Sequence, residues 1–146
     1  TSSYTRTDQT VIYTHGRSVT IDPKSPDSVI LLLARFRADS TTESPFTGRS
    51  TGIKSWFYED DTAASGDAVN GTKISNSEYI QGIQFTGDTQ INTLDQAHTM
   101  WYLVPSADHT TTQVKYSIGF KLYSDTGEVE IFPSDSHSSL IAIEIG

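Results

Sequence analysis

Four acidic side chains crowd one short stretch of this 146-residue chain: Glu59, Asp60, Asp61 and Asp67, with Asn70 close behind. Hard oxygen donors at that density suit Ca²⁺, which takes six to eight oxygens from a flexible loop. The run DDTAASGDAVNG lacks the alternating ligands and closing glutamate of an EF-hand loop, and its plainer reading is a solvated loop end. Calcium at Glu59, Asp60, Asp61 and Asp67 is the one cofactor expectation the residues raise. Asn70-Gly71-Thr72 is also a glycosylation sequon, a short pattern that chance supplies often in a chain with this much Ser and Thr.

The other reactive residue types do not gather. His15, His98, His109 and His137 are far apart, none makes the i, i+4 pair of a helical zinc site, and there is no cysteine to complete one. A triad from His109 with Asp108 or Asp135 and one of many serines has no G-x-S-x-G elbow behind it. Glu128 and Glu130 share one strand face, where they read as protection of an exposed edge rather than as a pair across a cleft. Gly48-Arg49-Ser50-Thr51-Gly52 has no P-loop lysine in place. These residues predict a protein that is not an enzyme.

Aromatic residues are the more informative set. Trp56, Phe57 and Tyr58 are consecutive, so on a strand Phe57 faces away from its two neighbours; Trp101 and Tyr102 split likewise. One face packs a core and the other meets a subunit or stacks on a sugar. Trp56, Tyr58 and Trp101, with Arg49 in the loop 39–51, are the candidate contacts for a ligand or partner.

Strands must position all of these. Val114, Tyr116, Ile118, Phe120 and Leu122 alternate with polar residues, the period of a strand with one wet face. Ser124-Asp125-Thr126-Gly127 and then Val129 and Ile131 predict a hairpin. Ile141, Ile143 and Ile145 repeat the alternation. Val29-Ile30-Leu31-Leu32-Leu33-Ala34 is the longest apolar run, too short to span a membrane, and predicts a central strand covered on both faces for part of its length. Nine β-type runs and no amphipathic helix predict an all-β fold, a two-sheet antiparallel sandwich or jelly roll of about 8–10 short strands. Residues 1–10 read as a linker or leading tail and 11–146 as one sandwich domain; the loops 39–51, 60–77 and 86–97 are where function is expected. The opening at Thr1 rather than Met, with no signal-like segment, predicts a fragment or processed product.

Net charge is −8: residues 1–73 hold eight of the ten Lys and Arg against nine acids, and residues 74–146 only Lys115 and Lys121 against nine more. That balance repels phosphate backbones and argues against nucleic-acid binding.

The polar stretch Thr1 to Thr10, the segment TVIYTHGRSVTI, the strand end WFYEDD, and MWYLVP ahead of residues 112–132 together resemble the protruding domain of small non-enveloped RNA virus capsid proteins. The similarity is to nodavirus and tombusvirus-like members, the spike domains of crustacean nodaviruses in particular, and it spans nearly the whole chain. It implies an outward β-sandwich on the virion surface, joined to a shell near Thr1. It also implies pairing or trimerising, and contact with a host receptor or glycan. A secreted carbohydrate-binding module or lectin of similar build, stacking sugars on Trp56 or Trp101, is the alternative.

Overall fold

The computed structural model describes residues 3–7, 10–41, 50–74, 76–84, 93–109, 111–123, 128–132 and 137–146. Two antiparallel five-stranded sheets pack face to face, the β-sandwich that the period-two pattern predicts. The strands are β1 (Tyr4–Arg6), β2 (Tyr13–Ile21), β3 (Val29–Thr41), β4 (Ser50–Glu59), β5 (Thr72–Lys73), β6 (Tyr79–Gln84), β7 (Thr93–Val104), β8 (Val114–Leu122), β9 (Glu128–Ile131) and β10 (Ser139–Ile145). A 3-10 turn, Ser106–Asp108, follows β7. No helix among the described residues is long and apolar enough to cross a membrane.

Sheet A is organised by β3. One flank pairs with β7 from Ile30↔Val104 to Thr41↔Thr93. The other is shared: β10 takes Val29 to Arg35 and β9 takes Ala38 to Thr41. Beyond β9 lies β1, so part of the stretch read as a leading tail adds a strand to the sheet. In sheet B, β8 lies between β2 and β4, and the far flank of β4 holds β6 and β5 end to end.

Alternate residues fill the space between the sheets. Ile30, Leu32, Ala34, Phe36 and Ala38 of β3 meet Ile53 and Phe57 of β4 and Tyr116, Ile118, Phe120 and Leu122 of β8. The expected hairpin over 112–132 is not formed: β8 pairs with β2 and β4, whereas β9 pairs with β1 and β3. Both strands bury one face in the same core from opposite sheets, and alternation alone does not distinguish that from direct pairing. The turn Ser124-Asp125-Thr126-Gly127 itself lies outside the described residues.

The run Val29–Ala34 is central, as its composition requires, but only one of its faces is covered within the chain. Leu33 is 36 % exposed and Leu31 half-buried, while Ile30 and Leu32 are fully enclosed. Likewise Ile141, Ile143 and Ile145 point outward; Leu140 and Ala142 are the β10 residues packed on the core.

Candidate functional site

The acidic stretch is held against the edge of sheet B. Val69 N–H donates to the Ile12 carbonyl, Thr14 N–H to the Asp67 carbonyl and Gly66 N–H to the Thr14 carbonyl, each at 2.9 Å. Gly16, at φ +84°, lies where a Cβ would collide with Ser65, whose Oγ donates to the His15 carbonyl at 3.0 Å. β2 shifts register between Thr14 and Ser18, so its edge turns toward this segment.

Within it the four acids separate. Asp61 is turned inward and 1 % exposed: its carboxylate accepts from the Ala63 and Asn70 N–H groups and from Ser117 Oγ, all at 3.2 Å. Asp60 takes positive φ (53°) and donates its N–H to the Lys115 carbonyl at 2.8 Å, with its side chain exposed. Asp67 is exposed and contributes its backbone. Glu59 points to the inner side of β4, opposite Tyr116 in register. Among the described residues no group of three or more His, Asp or Glu side chains is placed to hold a metal ion. The Asn70 side chain accepts from Thr62 N–H at 2.9 Å and donates to Thr62 Oγ1 at 3.1 Å, closing the segment on itself.

Glu59 instead meets residues distant in sequence. It lines a cleft of about 180 Å³ with Asp60, Asp108, His109 and Gln113, and a second of about 280 Å³ with Lys73, Ile74, Val104 and Asp108. Burial, then the charges of Asp60 and Asp108, raise its carboxyl pKa, while His109 opposes them. A raised carboxyl in a cleft is a pattern acid–base sites share with structural ion clusters. The His109 ring is held by the backbone, with Nε2 2.6 Å from the Ser28 carbonyl.

The aromatic candidates divide by sheet. Trp56 and Tyr58 lie on the outer side of sheet B yet are only 5 % and 4 % exposed. The Tyr58 ring lies over Gly119, where a Cβ would stand 2.5 Å from Cε2, and burial followed by the Asp61 charge pushes its hydroxyl up to about 12. The Lys73 and Lys121 ammonium groups stand 5.4 Å and 5.8 Å from the Trp56 ring centroid. Arg49 lies outside the described residues. Trp101 is the opposite case, 67 % exposed on the outer side of sheet A.

Trp101 belongs to a surface that no single stretch of sequence reveals. Register places Leu33 between Trp101 and Ile141, Leu31 between Leu103 and Ile143, and Val29 beside Ile145. Directly opposed residues share a face, so these side chains form one apolar field across three strands. Along β3 it gives way to Arg35, Arg37 and Asp39, with Arg37 and Asp39 paired at 3.6 Å. The signal was present in LIAI and VILLLA, strands apolar on both faces. No protein-family model matches the chain, and a search of curated proteins returns no match.

Proposed function

We propose that this chain is a non-enzymatic surface domain that pairs with a second copy through the outer face of sheet A. The resemblance to capsid protruding domains supplies its setting: the virion exterior, with the remaining surface free to meet a host receptor or glycan. The observation that carries this reading is the apolar field of Trp101, Leu103, Leu33, Ile141, Ile143 and Ile145, each 36–67 % exposed.

Such a field is of the size of the largest apolar patch on a typical monomer, about 300–600 Å², a patch that is often functional. These six side chains present roughly 500 Å², a large share of the ~800 Å² each partner contributes to a standard interface. A second copy fits because a two-fold interface uses the same patch on both sides, so apolar meets apolar without a matching partner having to be supplied. Trp101 has polar Thr99 and Arg35 on one flank, but the field extends away from them over Leu31, Leu103, Ile143 and Ile145, an aliphatic area that favours assembly over a lectin platform at this face.

Sedimentation velocity tests the reading. The wild type is expected to sediment as a dimer, and Trp101→Ser with Ile143→Ser as a folded monomer with an unchanged circular-dichroism spectrum. A wild type that stays monomeric as concentration rises overturns it. Saturable binding of a neutral oligosaccharide, abolished by Trp101→Ser alone, would move this face to the lectin reading.

A further inference from the structure

The opposite side of the sandwich carries a different surface. Four of the five lysines of this acidic chain, Lys54, Lys73, Lys115 and Lys121, lie on β4, β5 and β8 of sheet B. Lys115 is taken up by the acidic segment, its Nζ donating to the Asp61 carbonyl at 2.6 Å. The other three surround Trp56. Lys54 and Lys121 are directly opposed in the β4–β8 register, and Lys73 is opposed to Tyr58, the next outward residue of β4 after Trp56.

Directly opposed like charges on a sheet are destabilising, and a protein of net charge −8 has acids to spare for neutralising them. It does so only in part. Lys54 Nζ is 3.6 Å from Glu78. Among the described residues neither Lys73 nor Lys121 has a carboxylate partner. Both ammonium groups stand over the indole of Trp56, and Lys54 Nζ is 5.2 Å from the Tyr123 ring centroid. Cation–π contacts fix a cation in place without cancelling its charge. Among the described residues the arrangement therefore holds three positive charges beside aromatic rings with one carboxylate, Glu78, in ion-pair distance, and with Glu59 and Asp108 farther off across the cleft that Lys73 lines, at the cost of a repulsive pair.

We infer that the outer face of sheet B, at Lys54, Lys73 and Lys121 around Trp56, binds an anionic glycan, its sulfate or carboxylate groups bridging the three ammonium groups. Trp56 is 5 % exposed, so the indole is a base beneath the lysines rather than a stacking platform, and three ammonium groups spread over β4, β5 and β8 suit the several acidic groups of an oligosaccharide better than one compact anion. The inference gives chemistry to the attachment role proposed above, but it does not depend on pairing through sheet A, which is on the other side of the sandwich.

The test uses the intact chain with a sulfated heparin-derived oligosaccharide, a sialylated oligosaccharide, a neutral maltooligosaccharide and single-stranded DNA of matched length, by calorimetry at low and at physiological salt. Saturable binding of one of the acidic glycans is expected, weakened at least tenfold by Lys73→Gln with Lys121→Gln, and weakened by salt. Lys121→Gln alone is expected to raise Tm while lowering affinity, a pairing that a merely structural lysine would not give. No binding of either acidic glycan, or binding unaffected by the double substitution, overturns the inference. DNA binding equal to glycan binding overturns the glycan assignment. Trp101→Ser with Ile143→Ser, made in parallel, is expected to lose pairing and keep glycan binding, so failure of one reading is visible apart from failure of the other.

Discussion

Two imidazoles in the core pack against one phenyl ring. The His15 and His98 rings lie 5.0 Å and 5.3 Å from the Phe36 ring, and both histidines are buried. Neither His15 ring nitrogen has a hydrogen-bond partner among the described residues, nor does His98 Nδ1. Burial, with Arg17 adding repulsion, lowers His15 to about 3; burial lowers His98 to about 4 against an opposing hydrogen bond to the Ala38 backbone. A histidine depressed in the folded state binds fewer protons there than in the unfolded chain. Its contribution is therefore neutral above about pH 6.5 and increasingly unfavourable as pH falls toward the folded values. Each histidine is expected to cost roughly 1.4 kcal/mol per pH unit across that window. Urea denaturation at pH 7 and pH 5 should show the loss, and His15→Phe with His98→Phe should flatten the difference. Asp61 gives the second residue-scale expectation. With its oxygens occupied by N–H and O–H donors, Asp61→Ala is expected to cost about 2–3 kcal/mol in urea titrations, and Asp61→Asn less. A chelator should then leave Tm unchanged; a fall would return calcium to this segment, since an ion bound only by the native state must raise stability. None of this was legible in the run of four acids, because a strand end and the turn after it point successive carboxylates in different directions.

At the scale of elements, the alternation of β8 and the apolar content of β3 were readable, since period-two burial is written in the side chains themselves. Pairing was not. Whether β8 closes on β9 or on β2 and β4 depends on contacts far apart in sequence, and the short β1 and β5 have too few residues to show a period. Ile74 and Ser77, after β5, show how such pieces are fixed. Ile74 N–H donates to the Phe57 carbonyl at 3.0 Å, while buried Ser77 Oγ donates to the Ile74 carbonyl at 2.9 Å and accepts from Phe57 N–H at 3.0 Å. Ser77→Ala leaves a buried donor and a buried acceptor without that partner and is expected to cost about 1–3 kcal/mol, read from chemical denaturation. Gly119→Ala drives a methyl into Tyr58 and the Ile12 side chain and should destabilise by a similar ~1–3 kcal/mol, with a shifted Tyr58 resonance as its local marker.

The whole molecule has two unlike outer faces, one apolar and one cationic on an aromatic base, separated by the thickness of the core. The sequence contains the residues of both, but only register brings Lys54 opposite Lys121, or places Leu33 between Trp101 and Ile141. Substituting Ile143→Lys is expected to raise the salt-precipitation threshold of the protein and to remove the concentration dependence of Tm that pairing confers, because the side chain is 43 % exposed before any pairing.

The shared flank of β3 has a consequence for how the chain is made. Its three partners in sheet A all come later in the sequence, β7 from residue 93, β9 from 128 and β10 from 139. During translation the most apolar strand thus emerges before any of its sheet-A partners: β7 covers one flank once Val104 has been synthesised, and the other stays open until β9 and β10 follow. Nascent chains stopped short of residue 139 should be held by chaperones or aggregate, because one flank of β3 is still without its partner strand.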